Sequence, residues 1–264
     1  MLIGKKIRLG RLFKNGKTVI IALDHGRRHG PINGIEKLNA TIENLLRAEI
    51  DALMITVGMI PRVVDLVAGR VGLVARIDGT GTVKGPDPTD DRLISSVDLA
   101  VKMGADAVSI MVYIGCVREV QQLVKLGKVS EECMNYGMPL LVEAIPSTPY
   151  LKEPKSPESI AYISRIVAEY GADVVKTFYP GTIEGFKYIV ERVPIPVVIL
   201  GGAKKNVREF LREVYGSIKA GGSGVAVGRN VFQYSEPWKI AQALVEIIHK
   251  EKNLEEVYEL LGIR

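Results

Sequence analysis

One lysine stands where a folded protein seldom keeps a charge. Lys176 lies in the middle of an apolar run, Val174-Val175-Lys176-Thr177-Phe178, that predicts a buried strand. Burying an ammonium costs hydration free energy, so such a lysine needs an acidic partner or a chemical task. Burial also disfavours the charged form of an amine, and a neutral amine is a nucleophile. Lys176 is therefore either a salt-bridged structural residue or the nucleophile of an active site.

Other polar residues stand at or near the ends of further predicted strands: Asp24, His25, Arg76, Asp78 and Glu143. If these strands are parallel and form a barrel, their carboxyl ends meet on one face, where such folds keep their active sites. Asp24 or Glu143 could pair with Lys176 or move protons beside it. His25, and Tyr179 just beyond the strand of Lys176, are further candidates.

Two glycine-containing turns follow the last two predicted strands. The first contains Gly201-Gly202, and the second contains Gly228-Arg229. Glycines let backbone N–H groups approach a ligand closely, and the corresponding loops of many barrels bind phosphate. Arg229 would add a charge-assisted hydrogen bond. We expect Gly201, Gly202, Gly228 and Arg229 to bind a substrate phosphate.

The histidines do not form a pattern typical of a metal centre. His249 is far along the chain, and the glycines around His25 and His29 argue against a helix that would place those two side chains on one face. Catalytic zinc sites use three well-placed protein ligands. We therefore expect no metal ion and no other cofactor.

Short apolar runs alternate with amphipathic helical stretches along the whole chain. This alternation is typical of parallel strands joined by helical crossovers. The predicted strands are Val19–Leu23, Ala52–Val57, Gly72–Ile77, Ala107–Val112, Leu140–Ile145, Val174–Phe178, Val197–Leu200 and Gly224–Val227. Eight such units predict a single (β/α)8 TIM barrel over residues 1–264.

The predicted crossover helices follow most of these strands and are Glu36–Ala48, Arg92–Met103, Val117–Tyr136, Pro157–Tyr170, Thr182–Arg192, Val207–Ala220 and Pro237–Lys250. An extra C-terminal helix, Leu254–Leu261, follows them. The segment Asp78–Asp91, which contains three glycines and two prolines, is the predicted long loop.

Composition excludes several classes of function. The net charge of +5 comes from scattered basic residues without an aromatic-interleaved patch, so we expect no nucleic acid partner. No apolar run reaches the roughly 18 residues of a membrane span, and the N-terminus lacks a signal peptide pattern. We expect a cytoplasmic protein with no membrane partner. Cys116 and Cys133 are too far apart along one helical segment for a disulfide.

Four fragments, in this order and spacing, resemble the archaeal-type class I aldolases. They are Leu23–Gly26, Gly104–Ser109, Gly171–Thr177 and Gly224–Gln233. The resemblance runs over nearly the whole chain. The same family contains fructose-bisphosphate aldolases and 2-amino-3,7-dideoxy-D-threo-hept-6-ulosonate synthases.

The resemblance implies roles for the candidate residues. Lys176 would form a Schiff base with the substrate, and Asp24 would be the acid/base residue across the barrel mouth. The glycines of the two turns and Arg229 would hold the substrate phosphate. The enzymes of this family are usually homo-oligomers, often decamers.

The chain departs from the family near the end of the fifth strand. The family places a proton-relaying aromatic residue there, and Ile145 stands at that position. The change leaves the proton donor open, with Tyr113, Tyr150 and Tyr179 as substitutes. The family's Gly-Gly-Pro-Lys after strand seven is also changed, to Gly-Gly-Ala-Lys.

These observations predict a metal-independent class I aldolase that cleaves a phosphorylated ketose such as fructose 1,6-bisphosphate. Lys176 would attack the ketone, Asp24 would transfer protons, and Glu143 would relay protons or orient Lys176. One alternative is a transaldolase-like synthase of the same family. The others are a phosphometabolite-binding barrel without catalysis and a phosphate-binding isomerase, which would leave Lys176 unexplained.

Overall fold

The computed structural model describes residues 2–263, and eight parallel strands in these residues form a closed barrel. Each strand pairs with the next in sequence, and β8 pairs with β1 to close the ring. The strands are β1 (Thr18–Ala22), β2 (Ala52–Thr56), β3 (Gly72–Arg76), β4 (Ala107–Ile114), β5 (Leu140–Pro146), β6 (Val174–Thr177), β7 (Val197–Ile199) and β8 (Gly224–Val227). The predicted (β/α)8 TIM barrel is confirmed.

Helices connect the strands and cover the outside of the barrel. They are α1 (Ile3–Leu12), α2 (Gly26–His29), α3 (Leu38–Leu45), a 3-10 helix (Val57–Arg62), α4 (Val64–Val67), α5 (Val97–Lys102), α6 (Glu119–Tyr136), α7 (Pro157–Glu169), α8 (Ile183–Val190), α9 (Val207–Lys219), α10 (Arg229–Phe232), α11 (Pro237–Ile248) and α12 (Leu254–Leu261). The extra C-terminal helix is therefore present, at the predicted bounds.

Alternation along each strand separates two apolar layers. On β4, Val108, Ile110 and Val112 point outward into the large core between strands and helices. Met111 and Tyr113 lie on the opposite face and belong to a separate cluster. Because side chains alternate along a strand, residues at odd positions of β4 face the barrel interior. The same alternation brings Glu143 of β5 and Lys176 of β6 inward.

The N-terminal helix α1 was not predicted, and it covers the amino end of the barrel. Leu12 belongs to the apolar cluster of the barrel interior, with Leu9 packed against it. Lys5 Nζ lies 2.7 Å from Asp173, and Arg11 Nη1 lies 3.0 Å from Asp106. The opposite, carboxyl end of the barrel is left for the loops that build the site.

The repeated Gly-Ala-Asp sequence has a structural explanation. Gly104 and Gly171 have φ of +76° and +91°, which ends the preceding helix in a left-handed turn. Asp106 then accepts a hydrogen bond from Leu73 N, and Asp173 accepts one from Leu140 N. Each aspartate thus joins the start of its own strand to the start of the preceding strand.

Several predicted boundaries were wrong. The helix predicted over Arg92–Met103 begins only at Val97, because the long loop after β3 continues to Ser96, which caps it. A one-turn helix occupies Gly26–His29, where we expected none; Gly30, with φ of +68°, ends it. Cys116 precedes α6, and both cysteines are buried and free. Among residues 2–263, no helix is long and apolar enough to cross a membrane.

Candidate active site

Lys176 is buried in the barrel interior beside an acidic partner. The register of β5 and β6 pairs Glu143 with Lys176, so both side chains point inward at the same height. Lys176 Nζ lies 2.9 Å from Glu143 Oε2. The two residues are only 5% and 8% exposed. The expected juxtaposition of Lys176 with a carboxylate is therefore present.

Arg76 is the centre of the charge network, a role that the sequence did not reveal. Its guanidinium is completely buried and donates to three carboxylates. Nε lies 2.8 Å from Asp24 Oδ2, Nη1 lies 3.2 Å from Asp78 Oδ1, and Nη2 lies 2.5 Å from Glu143 Oε2. An arginine inside an apolar predicted strand was the available signal, because a buried guanidinium needs several acceptors.

A second buried lysine supports this network from outside the barrel. Lys125 Nζ on α6 donates to Asp78 Oδ2 at 2.8 Å, to Asp91 O at 2.6 Å and to Met111 O at 2.7 Å. All three protons of its ammonium are thus used, which indicates a structural role. The salt bridges of this network join the carboxylates of Asp24, Asp78 and Glu143 to the cations of Arg76, Lys125 and Lys176. The buried side chain of Arg27 adjoins it, with Nε 3.7 Å from Asp24 Oδ2.

The two carboxylates nearest Lys176 stay ionised. Burial alone would raise the pKa of Glu143, but the charges of Lys176 and Arg76 outweigh it and lower this pKa to about 2. Burial also opposes ionisation of Asp24, yet Arg76 and its other charged neighbours hold the pKa of Asp24 well below its usual range. At neutral pH both groups are ionised, so neither carries a proton to donate.

His25 lies beside Asp24 at the top of β1. Its Nδ1 lies 3.8 Å from Asp24 Oδ1, and its ring contacts the edge of Phe232 at a centroid distance of 5.2 Å. Burial lowers the pKa of His25 to about 4, against the opposing charge of Asp24. The imidazole is therefore neutral at pH 7.

The two predicted glycine turns, which follow β7 and β8, are joined by hydrogen bonds of Asn230. This residue was not identified as a candidate from the sequence. Asn230, buried on α10, donates through Nδ2 to Gly201 O at 2.6 Å and to Ala203 O at 3.0 Å. Its Oδ1 accepts from Lys205 N at 2.7 Å. A β-carbon at position 228 would lie 2.3 Å from His25 Cε1, so only glycine fits there. The loops after β7 and β8 thus form one rigid unit against His25.

Arg229 extends from this unit and is partly buried. Its Nε is buried without a hydrogen-bond partner among the described residues. Burial lowers the pKa of Arg229, and the charge of Glu143 opposes that shift. An unpartnered guanidinium donor beside glycine turns is a suitable site for an anion.

The three candidate tyrosines occupy different places. Tyr113 lies inside the barrel mouth, on the neighbouring strand to Ile145 and paired with it. Tyr150 is 71% exposed in the loop after β5. Tyr179 points outward: its ring packs on Phe186 of α8, and its hydroxyl abuts Gly216 of α9. The structure therefore does not bring Tyr179 to the predicted site, because the chain turns outward after β6.

Comparison with known proteins shows the family to which this chain is related. The DeoC/LacD family aldolase profile matches residues 18–234. The 2-amino-3,7-dideoxy-D-threo-hept-6-ulosonate synthase 1 of Archaeoglobus fulgidus is 39% identical over 261 residues, covering 99% of this chain and 97% of that protein.

Solved structures agree in fold. A Schiff base forming fructose-1,6-bisphosphate aldolase superposes with a TM-score of 0.85 at 31% identity, over 92% of this chain and 99% of that one. An archaeal fructose-1,6-bisphosphate aldolase, solved with its catalytic lysine bound to the carbinolamine intermediate, has a TM-score of 0.84 at 31% identity, over 93% and 99% of the two chains. The chain described here belongs to the DeoC/LacD family of aldolases.

Proposed function

We propose that this protein is a class I aldolase in which Lys176 forms a Schiff base with a phosphorylated ketose. One observation carries the proposal: a lysine amine is buried at the carboxyl end of the barrel, 2.9 Å from Glu143 and in the same charge network as Asp24. Family members that share this fold are aldolases and related synthases. A structural salt bridge alone would leave unexplained the Nε of Arg229, which has no partner within residues 2–263.

In the proposed reaction, the Lys176 amine adds to the substrate ketone and water is lost to give an iminium ion. The iminium accepts the electron pair of the C–C bond that breaks. Asp24 takes the proton of the hydroxyl on the departing aldehyde carbon. Glu143 holds the nitrogen of Lys176 in place through their 2.9 Å contact. No step passes through a metal ion.

The substrate phosphate would bind at the unit formed by Gly201, Gly202, Gly228 and Arg229. The unpartnered Nε of Arg229 supports this assignment, because it is a buried donor without an acceptor among the described residues. Anchoring the phosphate would hold the ketone carbon beside Lys176, so that addition becomes a positioned, intramolecular-like step.

Fructose 1,6-bisphosphate is the proposed substrate, because two structures of similar fold are fructose-1,6-bisphosphate aldolases. The test is reduction with borohydride in the presence of this sugar or of dihydroxyacetone phosphate, with EDTA present, followed by peptide mass mapping. We expect a covalent adduct on Lys176 and release of triose phosphate. Absence of any adduct on Lys176 with either ketone would refute the Schiff-base proposal.

A second function is favoured by a specific observation. The Archaeoglobus fulgidus relative, at 39% identity over 99% of this chain, is a synthase rather than a fructose-bisphosphate aldolase. A transaldolase-like synthase would form the same Lys176 adduct but pass the carbon fragment to an acceptor. No triose phosphate release from fructose 1,6-bisphosphate, together with a trapped Lys176 adduct of another keto donor, would favour this function over fructose-bisphosphate cleavage.

We propose further that the protein is a cytoplasmic homo-oligomer, in keeping with phosphorylated sugars as substrates. An exposed apolar strip lies near the start of α6 and consists of Val117, Val120 and Val124, which are 76%, 71% and 54% exposed. Contact with further copies of the chain would cover this strip. Light scattering on the purified protein measures the mass. A monomer across the micromolar range would refute the homo-oligomer, and a decamer would match the expectation from the family resemblance.

A further inference from the structure

The proposed chemistry needs an acid that the charge network does not supply. Loss of water from the carbinolamine requires a proton on its hydroxyl oxygen. Asp24 and Glu143 are held ionised by Arg76, and arginine does not release its proton. His25 is neutral, and neutral imidazole is a far better base than acid. A proton donor of another type is therefore needed in the barrel mouth.

Tyr113 has the position for this task. It lies on the inward face of β4, and the register pairs it with Ile145 on β5. Two residues earlier, Met111 pairs with Glu143, which in turn pairs with Lys176. Tyr113 is thus two residues closer to the carboxyl end of the barrel than the row of side chains that contains Lys176. A substrate bound to Lys176 must extend toward this end.

The hydrogen bonding of Tyr113 leaves its proton free. Arg28 Nη1 donates to Tyr113 Oη at 2.8 Å, and a guanidinium can only donate. The tyrosine oxygen is therefore the acceptor, and no acceptor for its hydroxyl hydrogen is present among the described residues. Burial raises the pKa of Tyr113 well above its ordinary value, while the charge of Arg28 opposes this shift. The phenol is protonated, and Arg28 stabilises the phenolate that forms when it gives up the proton.

Arg28 is itself held in place. Its Nη1 lies 3.0 Å from Asp91 Oδ2, and its Nη2 donates to Pro88 O at 2.8 Å. Asp91 Oδ1 also accepts a hydrogen bond from the backbone N–H of Gly81 at 2.9 Å, which fixes the Asp91 carboxylate. The long loop after β3 therefore holds the Arg28 guanidinium through Asp91 and Pro88. The loop thereby fixes the direction in which Arg28 meets Tyr113.

We propose that the Tyr113 hydroxyl is the general acid that dehydrates the carbinolamine on Lys176, with Arg28 as its positioning residue. The proton moves from Tyr113 Oη to the carbinolamine hydroxyl, the C–O bond breaks, water leaves, and the nitrogen lone pair forms the iminium. The phenolate recovers its proton from solvent. This inference rests on the proposed Schiff-base function and names the residue that replaces the missing aromatic at Ile145.

The test measures how fast the adduct forms. Purified full-length protein is mixed with dihydroxyacetone phosphate and quenched with borohydride at set times. Tyr113→Phe removes one oxygen and keeps the ring packing, so we expect the folded protein to form the reducible imine about 10²-fold more slowly or worse. Tyr150→Phe is the matched control, and its rate should equal that of the wild type. An unchanged rate in Tyr113→Phe would overturn the inference.

A second, independent test places a tyrosine hydroxyl on the neighbouring strand. Ile145 is the register partner of Tyr113 and is only partly buried, so Ile145→Tyr adds a hydroxyl to the same layer. In the Tyr113→Phe background this change should recover at least about tenfold of the lost rate. No recovery in a folded double variant, shown by an unchanged unfolding temperature, would argue against an acid at this height.

Arg28 is tested through its dependence on Tyr113. Arg28→Gln should slow imine formation about tenfold, and Arg28→Lys should retain most of the rate because it still donates to the hydroxyl. In the Tyr113→Phe background Arg28→Gln should have no further effect, since the two residues act as one unit. Additive effects would overturn the positioning role. A wild type that forms no adduct would instead refute the underlying Schiff-base proposal.

Discussion

Lys176 Nζ and Arg76 Nη2 donate to the same oxygen of Glu143, at 2.9 and 2.5 Å. This sharing ties the proposed nucleophile to a completely buried guanidinium that also holds Asp24. The carboxylates around Lys176 are thus kept ionised and fixed in direction. The amine faces acceptors for its protons, and an acid has to come from another part of the mouth.

Lys176→Arg should abolish catalysis and leave the fold intact. The guanidinium preserves the positive charge beside Glu143 but cannot form a Schiff base. We expect turnover of the phosphorylated ketose to fall by about 10⁴-fold or more, with no borohydride adduct. Steady-state kinetics and mass spectrometry measure both. Lys187→Arg on α8, an exposed lysine, is the control and should behave as the wild type.

Glu143→Gln should destabilise the protein. The variant leaves Arg76 and Lys176 buried with one anion fewer, and breaking a buried ion pair costs about 3 kcal/mol of unfolding free energy. Chemical denaturation at pH 7 measures this loss. Glu184→Gln, on the exposed side of α8, is the matched control and should change the unfolding free energy by less than about 0.5 kcal/mol. Equal stability of the two variants would contradict the ionic network.

The contribution of Glu143 should disappear in acid. Its pKa is lowered from 4.5 to about 2 in the folded protein. The unfolded chain therefore binds the proton first, and the stabilisation present above pH 4.5 is lost as the pH falls toward about 2. The unfolding free energies of the wild type and Glu143→Gln should converge over this range. A difference in unfolding free energy between the two proteins that stays constant from pH 5 to pH 3 would show that folding leaves the pKa of Glu143 unchanged.

His25 should remain neutral until well below its usual pKa. Burial lowers this pKa from 6.5 to about 4, so folding excludes a proton that the unfolded chain takes up. The stability is complete above pH 6.5 and decreases as the pH falls from there to about 4. Histidine NMR signals should give a midpoint near pH 4 for His25. The His25→Gln variant should lose less stability than the wild type between pH 6.5 and 5.

Arg229→Gln should weaken binding of phosphorylated substrates selectively. A charge-assisted hydrogen bond contributes about 1.5–3 kcal/mol, which corresponds to a 10–150-fold rise in KM. Because the substrate phosphate is the only proposed contact, a dephosphorylated ketose should show no such difference between the variant and the wild type. Arg212→Gln on the exposed face of α9 is the control. Equal effects on both kinds of substrate would remove Arg229 from the phosphate site.

The amino-acid sequence determined the architecture, because hydrophobic periodicity is a local signal. Alternating apolar strands and amphipathic helices were enough to predict eight units, and every predicted strand overlaps an observed one. A charged residue in an apolar run is equally local, which is why Lys176 and Glu143 were found. The glycine turns after β7 and β8 were recognisable because only glycine permits such close backbone contacts.

The tertiary structure decided which polar residues meet. Arg76 became the centre of the network because the closed barrel brings the inward side chain of β3 to residues of β1 and β5, each two strands away, a relation that no spacing along the chain expresses. The hydrogen bond between Asn230 and Gly201 joins two residues that are 29 positions apart in the sequence. The one between Arg28 and Tyr113 joins residues 85 positions apart. Tyr179 was misplaced because the direction of a side chain beyond a strand end depends on how the loop turns. Lys176 could be predicted from the sequence because its apolar neighbours are adjacent to it in the chain. The groups that would exchange protons with its substrate come together only when the barrel closes.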